Sequence, residues 1–241
     1  MATSCVAMLF FTLIYAESSE QKEYNGEFSF GLNLEDSNYE NKDTYTAGLK
    51  YKRPVRKHLL MSDASLRYED KKASLTPKEV YKLSLLDEYS LSHFHSLYGK
   101  YSYIKDSANY IDDKHKLGIG FLQYWIKKDP FFLKTRTGVQ TVRSTYIKNT
   151  NHLPTNYNNY KLGITAMNHI SKTFRIESGL DYEKDFSSSY YEVDCSFEAS
   201  FDITKQLAFG IKYSYAYTNI PAASNLQNTE TLTTSLIKFK F

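Results

Sequence analysis

Hydrophobic and polar residues alternate with a period of two along most of this chain, and the alternation continues to the final residue. In residues 207–217, for example, Phe209 and Ile211 alternate with Gly210 and Lys212. Successive side chains of a β-strand point to opposite faces, so this period predicts strands that have one apolar and one polar face. No segment shows a helical period of comparable length, and the sequence therefore predicts an all-β protein.

Twelve alternating segments follow residue 16, about one for every 19 residues of the remaining chain. Each is long enough for an ordinary strand, and each is bounded by polar residues. The segments lie near residues 28–34, 45–51, 64–68, 81–85, 97–103, 117–125, 133–139, 160–166, 174–182, 191–201, 207–217 and 237–241.

The lengths of the connections alternate as well. Those after odd-numbered segments are long and polar, whereas those after even-numbered segments are short. The long connections are residues 36–43, 70–79, 106–114, 144–157, 184–189 and 218–230, and the short ones are residues 53–57, 92–94, 127–130, 170–172 and 202–205. Bacterial outer-membrane barrels have an even number of antiparallel strands, short periplasmic turns and longer extracellular loops. The pattern predicts a single transmembrane β-barrel of about 12 strands with both termini in the periplasm.

The polar face of the segments carries many charged residues, and we predict that this face lines the lumen. The ten candidate lumen residues are Arg67, Lys82, Lys100, Arg136, Arg175, Glu177, Asp181, Asp194, Glu198 and Lys212. Burying these charges in a sandwich core would be very costly without complete pairing. A soluble sandwich that buries its apolar face remains the alternative. Tyrosines near the strand ends resemble the aromatic girdles of membrane barrels and favour the barrel.

Composition agrees with this interpretation and excludes other classes. The 241 residues include 22 Tyr and 15 Phe but a single Trp. The mean hydropathy of −0.51 is compatible with a barrel, because half of each strand faces a polar lumen. The 30 basic residues nearly balance the 27 acidic ones, for a formal charge of +3. That balance argues against a nucleic-acid partner recruited by bulk charge.

The first 16 residues contain no charged side chain, and residues 6–15 are a short apolar run. A membrane-spanning helix needs about 20 apolar residues, so the run fits the apolar region of a signal peptide. We predict cleavage between Ala16 and Glu17, which leaves residues 17–241 as the barrel. A buried N-terminal strand or helix is the alternative. After cleavage Cys195 would be the only cysteine, and no intramolecular disulfide is expected.

The chain ends on Phe241, which shares a strand face with Ile237 and Phe239. A terminal strand of this kind resembles the signal that the outer-membrane assembly machinery reads. An exposed edge strand must be captured and paired with the first strand to close a barrel. We predict that these three residues form the assembly signal.

Two stretches carry a family likeness, residues 25–32 continuing through 45–51, and the closing residues 231–241. With the Tyr-rich strands between them, the chain resembles the salt-induced outer-membrane protein family, which is classed as a domain of unknown function. The first turn, residues 36–39, differs from the Gly-Asn-Thr turn expected of that family. The resemblance implies a barrel in the outer membrane of a Gram-negative bacterium. It implies no established activity and no catalytic residue.

His93, His95 and Ser96 form the only compact His/Ser cluster. Twelve-stranded outer-membrane phospholipases use Ser, His and Asn at the outer rim, whereas this cluster lies in a predicted periplasmic turn. The alternative to surface histidines is that His93 and His95, which share a strand face, bind a metal weakly, although the sequence offers no third ligand. Asp112 and Asp113, in a predicted outer loop, are interpreted as solvated charge, with Ca²⁺ or lipopolysaccharide bridging as the alternative. We expect no cofactor, no metal and no catalytic residue.

The sequence therefore predicts a non-enzymatic protein of the cell outer membrane, either a narrow pore or a stress-related surface protein. Its expected partners are outer-membrane lipid, lipopolysaccharide and the assembly machinery. Twelve strands enclose more space than the eight that side chains can fill, which favours a pore, although long charged side chains are able to plug it. The alternative is a membrane-embedded hydrolase that acts on lipids.

Overall fold

The computed structural model describes residues 25–36, 41–71, 78–148, 151, 153–224 and 226–241. The predicted signal peptide and its cleavage site at Ala16 and Glu17 lie outside these residues. Within the described ranges, no helix is long and apolar enough to cross a membrane.

The described residues form twelve strands that close into one antiparallel barrel, and this confirms the predicted fold class. Every strand pairs with its neighbours in sequence, and the first strand pairs with the last. The strands are β1 (Asn25–Asp36), β2 (Asn41–Val55), β3 (His58–Lys71), β4 (Lys78–Ser90), β5 (His95–Asp106), β6 (Ile111–Lys128), β7 (Phe131–Tyr146), β8 (Asn156–His169), β9 (Phe174–Asp185), β10 (Tyr191–Asp202), β11 (Leu207–Thr218) and β12 (Thr229–Lys240). Closure leaves no unpaired sheet edge.

The two ends of the barrel differ in the length of their connections. β2 and β3 are joined by residues 56–57, and β6 and β7 by residues 129–130, whereas residues 147–155 join β7 to β8 and residues 219–228 join β11 to β12. We call these the short-turn end and the long-loop end. β1 begins and β12 ends at the short-turn end, as the sequence pattern predicts.

One connection is shorter than the sequence suggests. Residues 106–114 were expected to form an outer loop, but the chain makes a single 3₁₀ turn, Ser107–Asn109, and β6 begins at Ile111. The carboxylate of Asp106 accepts a hydrogen bond from the backbone N–H of Asn109 at 3.1 Å and holds this turn. Asp112 and Asp113 therefore lie in a strand, and Asp113 accepts a 2.7 Å hydrogen bond from the Tyr103 hydroxyl.

The outer surface of the barrel is apolar. Outward-facing side chains such as Phe30, Ile119 and Phe209 are 46%, 66% and 40% exposed. A soluble monomer rarely exposes an apolar surface of this extent, and such a surface is typical of contact with lipid.

A row of tyrosines borders this surface at the long-loop end. Ring centroids of Tyr160 and Tyr182, and of Tyr182 and Tyr191, are 5.9 Å apart, and Tyr217 continues the row at 5.8 Å from Tyr191. Tyrosine is enriched where the apolar band of a membrane protein meets water, because its ring is amphipathic. The row therefore marks the level at which the membrane interface is expected.

Candidate functional site: a half-filled lumen

The inward face of the barrel is identified by side chains that meet across a strand. Arg136 of β7 binds Asp181 of β9, with Nη2 2.6 Å from Oδ1, although β8 lies between them. Lys238 of β12 likewise binds Glu198 of β10 over β11. Such contacts form only inside the cylinder, so they fix which parity of each strand faces inward.

The strand register places all ten candidate lumen residues on this inward face. Residues that lie directly opposite each other on neighbouring strands point to the same face. Glu177 lies opposite Glu198, Asp181 opposite Asp194, and Glu198 opposite Lys212, so these residues of β9, β10 and β11 share the inward face. The same alternation applies on β3–β5 and β7, where Arg67, Lys82, Lys100 and Arg136 are located.

Buried ion pairs fill one side of the lumen, beneath β6–β10, which we call the filled half. Lys114 Nζ lies 2.5 Å from Glu192 Oε1, and Lys116 Nζ lies 2.6 Å from Glu183 Oε2 and 3.0 Å from Glu192 Oε2. Lys161 Nζ lies 2.6 Å from the other oxygen of Glu183. The side chains of Lys114 and Glu183 are only 3% and 4% exposed.

The charges of this network can be buried in the lumen because every member has opposite charges close by. Glu183 accepts from two lysines, and Gln140 donates a further 2.7 Å hydrogen bond to it. Buried charges are tolerated only with partners of this kind. The sequence did not single out Lys114, Glu183 or Glu192 as candidates. Lys114 was assigned to a loop, and no sequence signal shows which charges of non-adjacent strands meet.

The long-loop end of the filled half is sealed by loop residues. Tyr190 donates a 2.5 Å hydrogen bond to Glu192 Oε1, and its ring packs edge-on against Tyr157 at 5.7 Å. Burial, together with the charge of Glu192, raises the pKa of the Tyr190 phenol well above its usual range, so the hydroxyl remains a donor. Ala222 of the β11–β12 loop packs into the same apolar cluster.

Deeper in the lumen, aromatic and small residues complete the filling. Tyr98 of β5 lies over the paired glycines Gly120 and Gly138 and is 6% exposed. Tyr124 packs near it and donates a hydrogen bond to Glu88 of β4. These side chains fill the lumen on the β4–β7 side.

The other side of the lumen, lined by β1–β4 and β10–β12, contains open space and is called the open half. A cavity of about 220 Å³ lies there, bordered by Lys50, Lys82 and Lys212. Lys50 and Lys82 face inward and are nevertheless exposed, as are Ser65, Asp194 and Ser196. Inward-facing residues are exposed to solvent only where the lumen is open.

Two further cavities lie at the ends of the barrel. The one at the long-loop end is also bordered by Lys114 and Glu192 of the filled half, and the one at the short-turn end lies beside the turns after β6 and β8. The long-loop cavity, of about 160 Å³, shares Lys82 with the middle cavity. The short-turn cavity, of about 440 Å³, is bordered by Arg175 and Lys240.

Lys238, which is 1% exposed, and its partner Glu198 border the middle cavity, whereas Lys240 and Asp202, farther along the same strands, border the short-turn cavity. Arg175 Nη2 reaches Glu198 Oε1 at 4.0 Å.

Two further contacts narrow the long-loop mouth of the open half. Arg67 Nη1 binds Glu230 Oε1 at 2.5 Å. Asn109, in the turn after β5, donates a 3.3 Å hydrogen bond to the other oxygen of Glu230. The turn therefore reaches across the mouth to β12.

The histidine cluster forms no catalytic arrangement in the structure. Ser96 faces inward and is 1% exposed, whereas His95, its neighbour on the same strand, faces outward. His95 Nδ1 instead lies 2.9 Å from Ser92 Oγ in the exposed turn, and His93 stacks edge-on against Phe94. Among the described residues, no group of three or more His, Cys, Asp or Glu side chains is arranged to hold a metal ion.

A closed barrel of twelve strands, apolar outside and charged inside, defines the porin-like fold of outer-membrane β-barrels. Residues 28–241 match the family described as "Protein of unknown function, DUF481", and the chain therefore belongs to that family. The family description names no activity. The salt-induced character that the sequence resemblance implies stays a prediction.

Solved structures share the fold at low sequence identity. The KdgM porin, solved in complex with disordered oligogalacturonate, is 12% identical, with a TM-score of 0.51 over 89% of this chain and 99% of the porin. The NanC porin is 10% identical, with a TM-score of 0.55 over 91% and 99%. The COG4313 outer membrane channel from Pseudomonas putida F1 is 8% identical, with a TM-score of 0.54 over 94% and 98%. No curated protein matches the sequence.

Proposed function

We propose that the protein is a non-enzymatic pore of the Gram-negative outer membrane, which passes small hydrophilic solutes along the open half of its lumen. The observation that carries the proposal is the exposure of inward-facing Lys50, Ser65 and Lys82, beside a filled half whose charges are buried. A barrel that served only as a surface scaffold would have no reason to leave one side of its lumen open to water.

The apolar outer surface and the tyrosine row support the placement in the membrane. The long-loop end would face the exterior and the short-turn end the periplasm, with outer-membrane lipid and lipopolysaccharide around the barrel. Ile237, Phe239 and Phe241 on the closing strand would be read by the assembly machinery. The likeness to porins supports this role through the fold.

The ion pair between Lys238 and Glu198 would set the narrowest point of the path. The pair borders the middle cavity, on the same strands as Asp202 and Lys240 of the short-turn cavity, and Glu27 approaches Lys238 Nζ at 3.1 Å. A constriction formed by paired charges keeps the pore hydrophilic and limits the size of the solute.

The test uses the chain after signal cleavage, folded into a planar lipid bilayer. The wild type should give discrete current steps, and the Glu198→Ala/Lys238→Ala double variant should give larger ones, because two long side chains are removed from the constriction while the net charge stays the same. Asp112→Asn, which changes an exposed carboxylate in β6, serves as the matched control and should leave the step size unchanged. A correctly folded protein that gives no steps, with or without the double substitution, would refute the pore.

A further inference from the structure

The open half contains three inward-facing lysines without ion-pair partners. Lys50, Lys82 and Lys212 border the same cavity, and none of them lies within ion-pair distance of a carboxylate among the described residues. The filled half differs, because Lys114, Lys116 and Lys161 there all bind carboxylates within 3 Å.

The ammonium group of Lys212 is close enough to those of Lys50 and Lys82 to be repelled by both. Lys212 is also within electrostatic range of Asp63 and Glu198. Glu198 is occupied by Lys238. Asp63 forms no ion pair with a described residue, and Glu27 and Glu177 also lie within electrostatic range of Lys50. The three lysines therefore have carboxylates nearby, but none of them is bound to a carboxylate of the described residues.

The whole cavity wall has an excess of positive charge. Five basic side chains border the cavity, against three acidic ones, and one of the five, Arg67, is paired with Glu230 outside the cavity wall, which leaves an excess of one positive charge. Grouping like charges in a partly desolvated space is unfavourable unless a counter-charge occupies the space. Three ammonium groups that border one cavity, without ion-pair partners among the described residues, suit an oxyanion, which accepts a hydrogen bond from each of them.

We propose that Lys50, Lys82 and Lys212 form a binding site for small dianions, such as hydrogen phosphate or a dicarboxylate, at the middle of the pore. The proposal rests on the proposed pore function and adds its solute class. The lysines would hold the solute by Coulombic attraction and hydrogen bonds from Nζ, while Ser65 and Ser214, on the same cavity wall, have hydroxyl groups that also suit an oxyanion. A site of moderate affinity in a pore favours entry and still allows release.

The experiment measures ion preference and block in a planar bilayer under a KCl gradient. The wild type should have a reversal potential that indicates preference for chloride. Potassium phosphate or potassium succinate, added on one side, should reduce the chloride current in a concentration-dependent manner. Phosphate and succinate are separate arms, which show whether the site favours an inorganic oxyanion or a dicarboxylate.

Lys82→Gln and Lys212→Gln should each raise the half-blocking concentration about tenfold and reduce the chloride preference. Lys50→Gln is a third, independent variant of the same site. Lys100→Gln is the matched control, because Lys100 is also an inward-facing lysine without a described ion-pair partner, but it borders neither the middle nor the long-loop cavity. Heat-modifiable gel mobility shows that each variant is folded.

The results separate the two proposals. Current steps without chloride preference, block that is the same in all variants, or an equal effect of Lys100→Gln would overturn the dianion site and leave the pore in place. A folded wild type without current would remove the pore and the site together.

Discussion

Gly26 and Phe241 close the barrel by exchanging two backbone hydrogen bonds, from Gly26 N to Phe241 O at 2.9 Å and from Phe241 N to Gly26 O at 3.0 Å. The ring of Phe241 covers Gly26, since a Cβ on that glycine would lie 2.2 Å from a ring carbon. The pair lies on the outward face at the short-turn end of the β1–β12 seam. The aromatic side chain at the end of the chain therefore contributes to the last contact that completes the cylinder.

Replacing Phe241 with alanine should slow closure of the barrel and lower the stability of the folded form by about 1–2 kcal/mol, because the seam loses a packed aromatic ring. The rate of appearance of the heat-modifiable form in lipid vesicles measures this effect. Phe201→Ala, which removes an exposed outward-facing ring from β10, is the control and should change the rate less. Equal rates for Phe241→Ala and the wild type would show that the ring is incidental to closure.

Gly120 should not tolerate a side chain. Its Cβ would lie 2.1 Å from the carbonyl oxygen of Thr137 and 2.6 Å from Tyr98 Cε1. The carbonyl is backbone and cannot give way as a flexible side chain can, so Gly120→Ala should reduce the free energy of unfolding by about 1–3 kcal/mol or more. Urea titration in vesicles measures the change.

Gly99→Ala is the matched control, since no atom lies within 4 Å of a Cβ at that position. It should be close to neutral. If both glycine variants unfolded at the same urea concentration, the close packing of Tyr98 on the Gly120–Gly138 pair would be refuted.

Neutralising Glu183 should be the most destabilising single change in the filled half. Glu183→Gln leaves Lys116 and Lys161 with buried charges that lack their nearest partner, and the expected loss is about 3–5 kcal/mol. Asp112→Asn breaks an exposed pair with Lys105, at 3.4 Å, and should cost less than about 1 kcal/mol. The measurement is the free energy of unfolding of the two variants. If Glu183→Gln lowered it by as little as Asp112→Asn does, the buried ion-pair network would be contradicted.

The period of two in the sequence is sufficient to predict the strands and which residues share a face. The membrane and the lumen impose opposite polarity on neighbouring residues such as Ile211 and Lys212. The pattern failed at residues 106–114, where the run Asp112, Asp113 and Lys114 resembles a loop. Charged residues of this kind are tolerated in a strand that extends beyond the apolar band, and Lys114 is paired inside the lumen.

The division of the lumen into two halves could not be predicted from the sequence. Lys114 and Lys82 are both inward-facing lysines in strands of similar composition, but Lys114 binds Glu192 across the barrel, whereas Lys82 borders the middle cavity and forms no ion pair with a described residue. Partners on non-adjacent strands are set by barrel shear and side-chain length, and neither is encoded in local alternation.

Accessibility of two serines to a charged, water-soluble thiol reagent tests the open half most directly. In a Cys195→Ala background, Ser65→Cys places a thiol on the exposed inward face of β3, and Ser102→Cys places one on the inward face of β5, where the residue is 9% exposed. The reagent should reduce the single-channel current through Ser65→Cys and leave that through Ser102→Cys unchanged. An unchanged current through modified Ser65→Cys, or an equal reduction in both variants, would contradict a solute path confined to the open half.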